Sequence, residues 1–233
     1  MNNRTLLSTT ALAITLGLGL AAAPATAGDL SGKISYKGTP PKVVMLETKS
    51  DPVCLKAHGA IPSEELVVGA GGGLQNVFVY VKSGLEGQTF RHPKKAVEFN
   101  QKGCRYIPHV LGVMAKQKIE IVNSDDTLHN VHPVPKINRE WNLAMPFKGQ
   151  KVKKSFRKPE IGIHVTCNVH NWMSAYICVV DNPYYAVSGK DGSFSIKGLP
   201  DGEYTIAAWH EKLGEKTAKV TVKGATTTSF TFE

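Results

Sequence analysis

Only four cysteines occur in the 233 residues, too few for a disulfide scaffold. Acidic residues are also scarce, 19 against 28 Lys and Arg, which leaves a formal charge of +9. No stretch after Ala23 is apolar enough to cross a bilayer, so a membrane-spanning protein is not expected. Sustained helical periodicity is lacking too, apart from a short piece over 52–58, which argues against a helical bundle. Gly69 to Gly73 is glycine-rich, but no lysine follows and a strand pattern comes next, so it reads as a loop and not a phosphate cradle.

Residues 1–27 carry one cation, Arg4, then an apolar run from Ala11 to Ala23 and the small residues Ala25-Thr26-Ala27. That pattern predicts a secretory signal peptide and a periplasmic, soluble protein in which disulfides are permitted. No cysteine stands directly after the expected cleavage site, so no lipoprotein anchor is expected, and no paired arginines precede the apolar run, which points to export in the unfolded state. Removing Arg4 with the leader lowers the charge from +9 to +8. In an exported chain that charge suits no nucleic acid; an acidic protein partner or an anionic membrane face fits it better. The densest basic run spans Lys148, Lys151, Lys153, Lys154, Arg157 and Lys158, and reads equally well as a solvated strand edge.

Alternating and β-rich segments dominate what remains: 32–36, 77–81, 118–122, 161–165, 175–180, 204–206 and 219–222. Glycine and proline punctuate the gaps, which predicts an all-β chain of antiparallel sandwiches. The composition shifts after Asn182-Pro183, so the expected units are 28–182 and a smaller module over 183–233.

One constellation carries chemistry: Cys167, His170 and Met173 in a C-x-x-H-x-x-M loop. Thiolate, imidazole and thioether together suit one copper ion, because soft sulfur favours Cu(I) and imidazole suits both oxidation states. Ile161, Ile163 and Val165 are expected to share one strand face, which would turn the Cys167 sulfur inward. A buried Cys or Met used only as packing is the ordinary alternative for each residue alone; the spacing argues against it here. His170 is expected on a loop at the end of the sandwich, with an exposed ring edge serving as electron exit. Trp172, between two ligands, would shield the ion from water or simply pack. A fourth ligand must come from elsewhere, and His129 and His132 compete for it because a strand would face them to opposite sides.

A strand ending in a turn at Asn123-Ser124-Asp125, then His129-Asn130-Val131-His132, then the Cys167 loop, resembles the cupredoxin family of blue copper proteins, and among them amicyanin most. The likeness covers about Ala115 to Asp181. It implies a Greek-key sandwich holding one type 1 copper, with His129 as the first histidine ligand. Asn130 would tie the two ligand loops together, and His132 would be an outer residue or reserve ligand. It also implies a monomeric one-electron carrier, not an enzyme, that meets a redox protein with an acidic docking face. The alternative is a copper-binding or delivery protein without redox cycling. No spacing of His109, His132 and His210 argues for the second copper centre that an oxidase or nitrite reductase needs.

Asp191-Gly192-Ser193-Phe194 and Leu199-Pro200-Asp201-Gly202-Glu203-Tyr204 resemble the carboxypeptidase regulatory-like, transthyretin-like β-module. The strand within 30–46 resembles the opening of that module and is expected to complete it. Of the three cysteines outside the loop, Cys54 and Cys104 sit in polar segments and are expected to bridge, while Cys178 lies in an apolar strand as inert core. His109 precedes the central strands and is a possible further ligand.

Overall fold

The structure, a computed structural model, describes Met1 and residues 27–233, so the leader expected over 1–27 lies outside the described residues except at its two ends. The described residues are all-β apart from one short α-helix, Pro52–His58, and a single 3-10 turn, Ala70–Gly72. The sequence predicts that helix, and its start shows why: Asp51 caps it by accepting from the backbone N–H groups of Val53 (2.7 Å) and Cys54 (3.1 Å), and Pro52 occupies the first turn. Among the described residues no helix is long and apolar enough to cross a membrane.

Two sheets enclose the first core. One runs Leu143–Met145, His129–Val134, Glu160–Thr166, Ser174–Val180, Val110–Met114. The other runs Lys151–Lys154, Ile119–Asn123, Val97–Gln101, Tyr106–Ile107. Phe99, Ile121, Val131, Ile163 and Val165 fill the space between them, together with Cys167 and Met173. The pairing is mixed rather than purely antiparallel, because Ser174–Val180 runs parallel to Val110–Met114 and Val97–Gln101 parallel to Ile119–Asn123. Alternation along one strand cannot reveal this, since parallel neighbours come from distant segments.

A second pair of sheets gathers the tail. Ala27–Tyr36 lies between Ser193–Pro200 on one side and Thr226–Thr227 and Phe230–Phe232 on the other. Facing it are Tyr185–Val187, Phe78–Ser83, Gly202–His210 and Gly214–Val222. Their core holds Leu30, Ile34, Leu74, Val79, Ile206 and Phe232. The strand 27–36 pairs with tail strands, as the module was expected to be completed, but so does 78–83, which was expected in the unit 28–182, so the division at 182/183 does not coincide with a sheet boundary. Pairing is decided by which edge a strand can complete, not by nearness in sequence.

A third apolar layer joins the outer faces of the two sandwiches: Phe78, Tyr80, Val110, Cys178, Val180 and Ala207. This explains why Ser174–Val180 is buried along both faces and reads as a nearly continuous apolar run. Cys178 sits there fully covered, and burial pushes its thiol up to about 12, so it is inert. The basic strand Lys151–Lys154 is a sheet edge whose Lys151 and Lys153 point out toward Glu120, as the edge reading expects. Gly73 is glycine for a packing reason, because a Cβ there would meet the Asp191 carbonyl at 2.1 Å.

Candidate metal centre

One end of the first sandwich brings together the ends of three strands. His129 opens the strand His129–Val134, Cys167 directly follows Glu160–Thr166, and Met173 directly precedes Ser174–Val180. The loop between the last two is wound tightly: the His170 N–H donates to the Cys167 sulfur (3.4 Å) and the Met173 N–H to the His170 carbonyl (2.9 Å). Ile163 and Val165 share the face that leads to Cys167, but Ile161 does not. A bulge between Glu160 and Ile163, with Gly162 at φ +72°, turns Ile161 to the outer layer.

The Nδ1 atoms of His129 and His170 lie 2.9 Å apart, and Cys167 Sγ lies 4.0 Å from His170 Nδ1. The ligand atoms of this trio all lie within 4.8 Å of one another, and all three residues are buried. Separations of this size suit a shared ion with bonds of about 2.0 Å to nitrogen and 2.3 Å to sulfur. Met173 is buried in the same core cluster as Cys167.

The outer nitrogens explain why the inner ones are available. His129 Nε2 donates to the Asp125 carboxylate (3.0 Å) and His170 Nε2 to that of Asp51 (3.1 Å). Each carboxylate fixes its imidazole with the proton outside, which aims the Nδ1 lone pair inward. Two lone pairs 2.9 Å apart repel unless a proton or a cation lies between them. Burial disfavours a charged His129, but its bonds to Asp125 and Cys167 outweigh that and hold its pKa above the ordinary value. Burial likewise pushes the Cys167 thiol up, yet its bonds to His129 and His170 bring it down to about 5. The pocket thus brings a Cys167 sulfur made easier to deprotonate together with two inward-facing imidazole nitrogens, a donor set that fits copper.

Asn130 links the two loops. Its side-chain carbonyl accepts from the Asn168 backbone N–H (2.7 Å) and from Cys167 Sγ (3.3 Å), and its amide donates to Asn168 Oδ1 (2.7 Å) and Asn142 Oδ1 (2.8 Å). The Tyr106 hydroxyl, buried below, reaches the carbonyls of Asn130 and Thr166.

His170 departs from expectation. Its ring is 1% exposed, because Asp51 and the Cys54 sulfur (3.9 Å) cover Nε2, so no free imidazole edge faces solvent. The cover is the helix Pro52–His58, fastened by a disulfide between Cys54 and Cys104. Cys104 Sγ in turn belongs with Asp125 and His129 to a second close group of ligand atoms, and Asp51, Cys54 and His170 form a third. Trp172 is half-buried; its ring lies 4.9 Å from that of His170, and its Nε1–H donates to the Cys104 carbonyl (3.1 Å). It lines a cavity of about 270 Å³ together with Met173, His109 and Arg105.

His132 is turned away from the trio and pairs with Glu140 (2.6 Å). His109 pairs with Glu211, and His210 Nδ1 accepts from the Lys212 N–H (3.2 Å); neither joins a group of ligand atoms among the described residues. Asp51 and Asp125 escape notice in the sequence. Asp125 stands four residues before His129 and could have been found from that spacing, whereas Asp51 reaches His170 across 119 residues.

No family model matches the chain, and no curated protein matches it. Among solved structures it is similar to a copper-containing nitrite reductase of Thermus scotoductus SA-01, with 20% identity and a TM-score of 0.33 over 41% of this chain and 24% of that one. A purple cupredoxin of Nitrosopumilus maritimus shares 15% identity at TM-score 0.31, covering 36% of this chain and 98% of its own. An oxidised amicyanin variant shares 18% at TM-score 0.34, covering 43% and 97%. The chain thus spans about a quarter of the reductase's length. Likenesses at these scores carry no argument about function.

Proposed function

We propose that the chain binds one copper ion through His129, Cys167, His170 and Met173, as a type 1 centre of cupredoxin kind, and acts in the periplasm as a one-electron carrier. The observation that carries this is the arrangement of two imidazoles, each with its outer nitrogen on a carboxylate and its Nδ1 aimed at the other, beside a thiol held at about 5. Copper would supply the one-electron change; the chain supplies the pocket. Cys167 provides the charged donor. Asp51 and Asp125 hold the imidazoles in one tautomer, and Asn130 fixes the distance between the two ligand loops. The helix and its disulfide exclude water from the outer side. A pocket so constrained changes little between oxidation states, which favours electron exchange over bond chemistry, so no enzymatic role is assigned.

The partner in this reading is a redox protein with an acidic face, met by a monomer of net charge +8 once the leader is removed. In the same proposal the sandwich of 27–36, 78–83 and 185–232 takes the part of the transthyretin-like module expected from the sequence, and none of its residues joins a group of ligand atoms among the described residues.

The covered edge of His170 favours a second reading, a copper-binding or delivery protein without redox cycling, because a buried ligand edge slows exchange with a partner. Loading purified protein with Cu(II) separates the two. A strong visible band from Cys167 thiolate-to-copper charge transfer, bleached and restored through repeated cycles and missing in Cys167→Ser, supports the carrier. Absence of the band in the native sequence overturns it, and a Cu(I) complex that does not reoxidise reversibly moves the conclusion to delivery.

A further inference from the structure

The disulfide does not lie apart from the metal centre but against it. Cys54 Sγ is 3.9 Å from His170 Nε2, and its ligand-atom group takes in Asp51; Cys104 Sγ groups in the same way with His129 and Asp125. Two sulfurs thus lie between two carboxylates, directly outside the imidazoles whose inner nitrogens face Cys167. Both carboxylates are held in place by more than the histidines. Asp125 accepts from the N–H groups of Gly103 (2.7 Å) and Cys104 (2.8 Å), and Asp51 accepts from the Thr127 hydroxyl (2.8 Å). The helix bearing Cys54 buries that one residue alone, so the bridge and Asp51 are what fasten it over the site.

We infer that the Cys54–Cys104 pair, once reduced, forms a second, outer site for a soft monovalent metal ion, Cu(I), next to the inner site. An external dithiol supplies the two electrons and two protons: the S–S bond breaks, two thiols form, and the dithiol closes to its own disulfide. Binding Cu(I) then displaces the two thiol protons and leaves the ion between two thiolates, a donor set that soft Cu(I) prefers. Asp51 and Asp125 keep the flanking positions negative, which favours a cation there and not an anion. In the oxidised protein the sulfurs are consumed by the bridge and the outer site does not exist. The layer is therefore a redox-gated station for copper outside the centre described above. Its placement as a station rests on the inner-site reading, whereas its capacity for Cu(I) does not.

Competition against a chromophoric Cu(I) chelator, with the full chain, measures the stoichiometry. Disulfide-bonded protein is expected to bind one Cu(I), and protein reduced with a phosphine that is then removed is expected to bind two. Cys54→Ser/Cys104→Ser is expected to bind one under both conditions, which also shows that this variant folds. Cys167→Ser is expected to lose the inner ion only, binding none when oxidised and one when reduced. Reduced native-sequence protein that binds one ion overturns the inference. So does a second ion that persists in Cys54→Ser/Cys104→Ser, or one accompanied by loss of the near-ultraviolet circular dichroism of folded protein. Oxidised Cys167→Ser that still binds one ion overturns the inner-site reading instead, and leaves the outer site standing if reduction adds another.

Discussion

Replacing Asp51 with alanine tests how the cover and the metal pocket depend on each other. One carboxylate caps the helix at Val53 and Cys54, accepts from Thr127, and fixes the outer nitrogen of His170. Burial alone would raise its pKa, but its hydrogen bonds from Thr127, Cys54 and His170 bring it from 3.8 down to about 2. At full value that is about 2 kcal/mol of stability, and solvent screening of a side chain partly open to water reduces it to about 1 kcal/mol. Because the folded value lies below the unfolded one, the contribution is complete above about pH 4 and lost as pH falls toward 2. Loss of the cap itself costs about 1 kcal/mol. Urea unfolding of the oxidised apoprotein at pH 7 should show Asp51→Ala less stable by about 2 kcal/mol, with the difference shrinking at pH 2.5. His170 would also lose the partner that fixes its tautomer, and copper affinity should fall by about 10- to 100-fold. Unchanged affinity together with a stability loss below about 0.5 kcal/mol would refute the reading of Asp51 as both cap and orienting group.

Three further outcomes are expected. Asn130→Ala removes the link between the loops, so copper affinity should drop by about tenfold while the core stays folded; isothermal titration beside a thermal melt checks both halves. Met173→Leu should keep the copper but raise its potential, since a donor to Cu(II) is lost; voltammetry should show a rise of about 59 mV for each tenfold weakening of Cu(II) relative to Cu(I). His210 is 1% exposed, and burial first, then the nearby His109, lowers its pKa from 6.5 to about 4. The unfolded chain takes up that proton below about pH 6.5 while the fold resists it, so stability should fall by up to about 3 kcal/mol between pH 6.5 and 4. His210→Gln should flatten that part of the pH profile, and an unchanged slope in denaturant titrations would disprove the assignment.

Much of the architecture was legible because it is written in short periods. The runs read over 118–122, 175–180 and 219–222 fall on the strands Ile119–Asn123, Ser174–Val180 and Gly214–Val222, and the short helical piece over 52–58 on the helix Pro52–His58. The spacing of Cys167, His170 and Met173 likewise survives as a wound loop. What the period could not carry is anything set by register or by distant segments. The bulge at Gly162 turns Ile161 out of the face it was expected to share, although alternation alone would keep it there. The pairing of 78–83 with 202–210, unlike that of the amino-terminal strand with the tail, was not expected, because it depends on which edges are left open once each sheet has formed.

The burial of His170 shows the same limit at the site, and it bears most on function. A C-x-x-H loop at the end of a sandwich predicts an exposed ring, because loops lie on surfaces. Here 119 residues separate His170 from the aspartate that covers it, and a disulfide formed 50 residues apart holds that cover shut. With His170 closed off, Trp172 is the group beside it that also borders the cavity reaching Met173. If the chain is the carrier proposed above, its exchange runs through that aromatic ring or through the disulfide, and either path lengthens the route compared with a bare imidazole edge. Exchange with small inorganic oxidants should therefore be slow while the bridge is intact and quicken in Cys54→Ser/Cys104→Ser. If the rate is the same in both, the cover does not gate the centre.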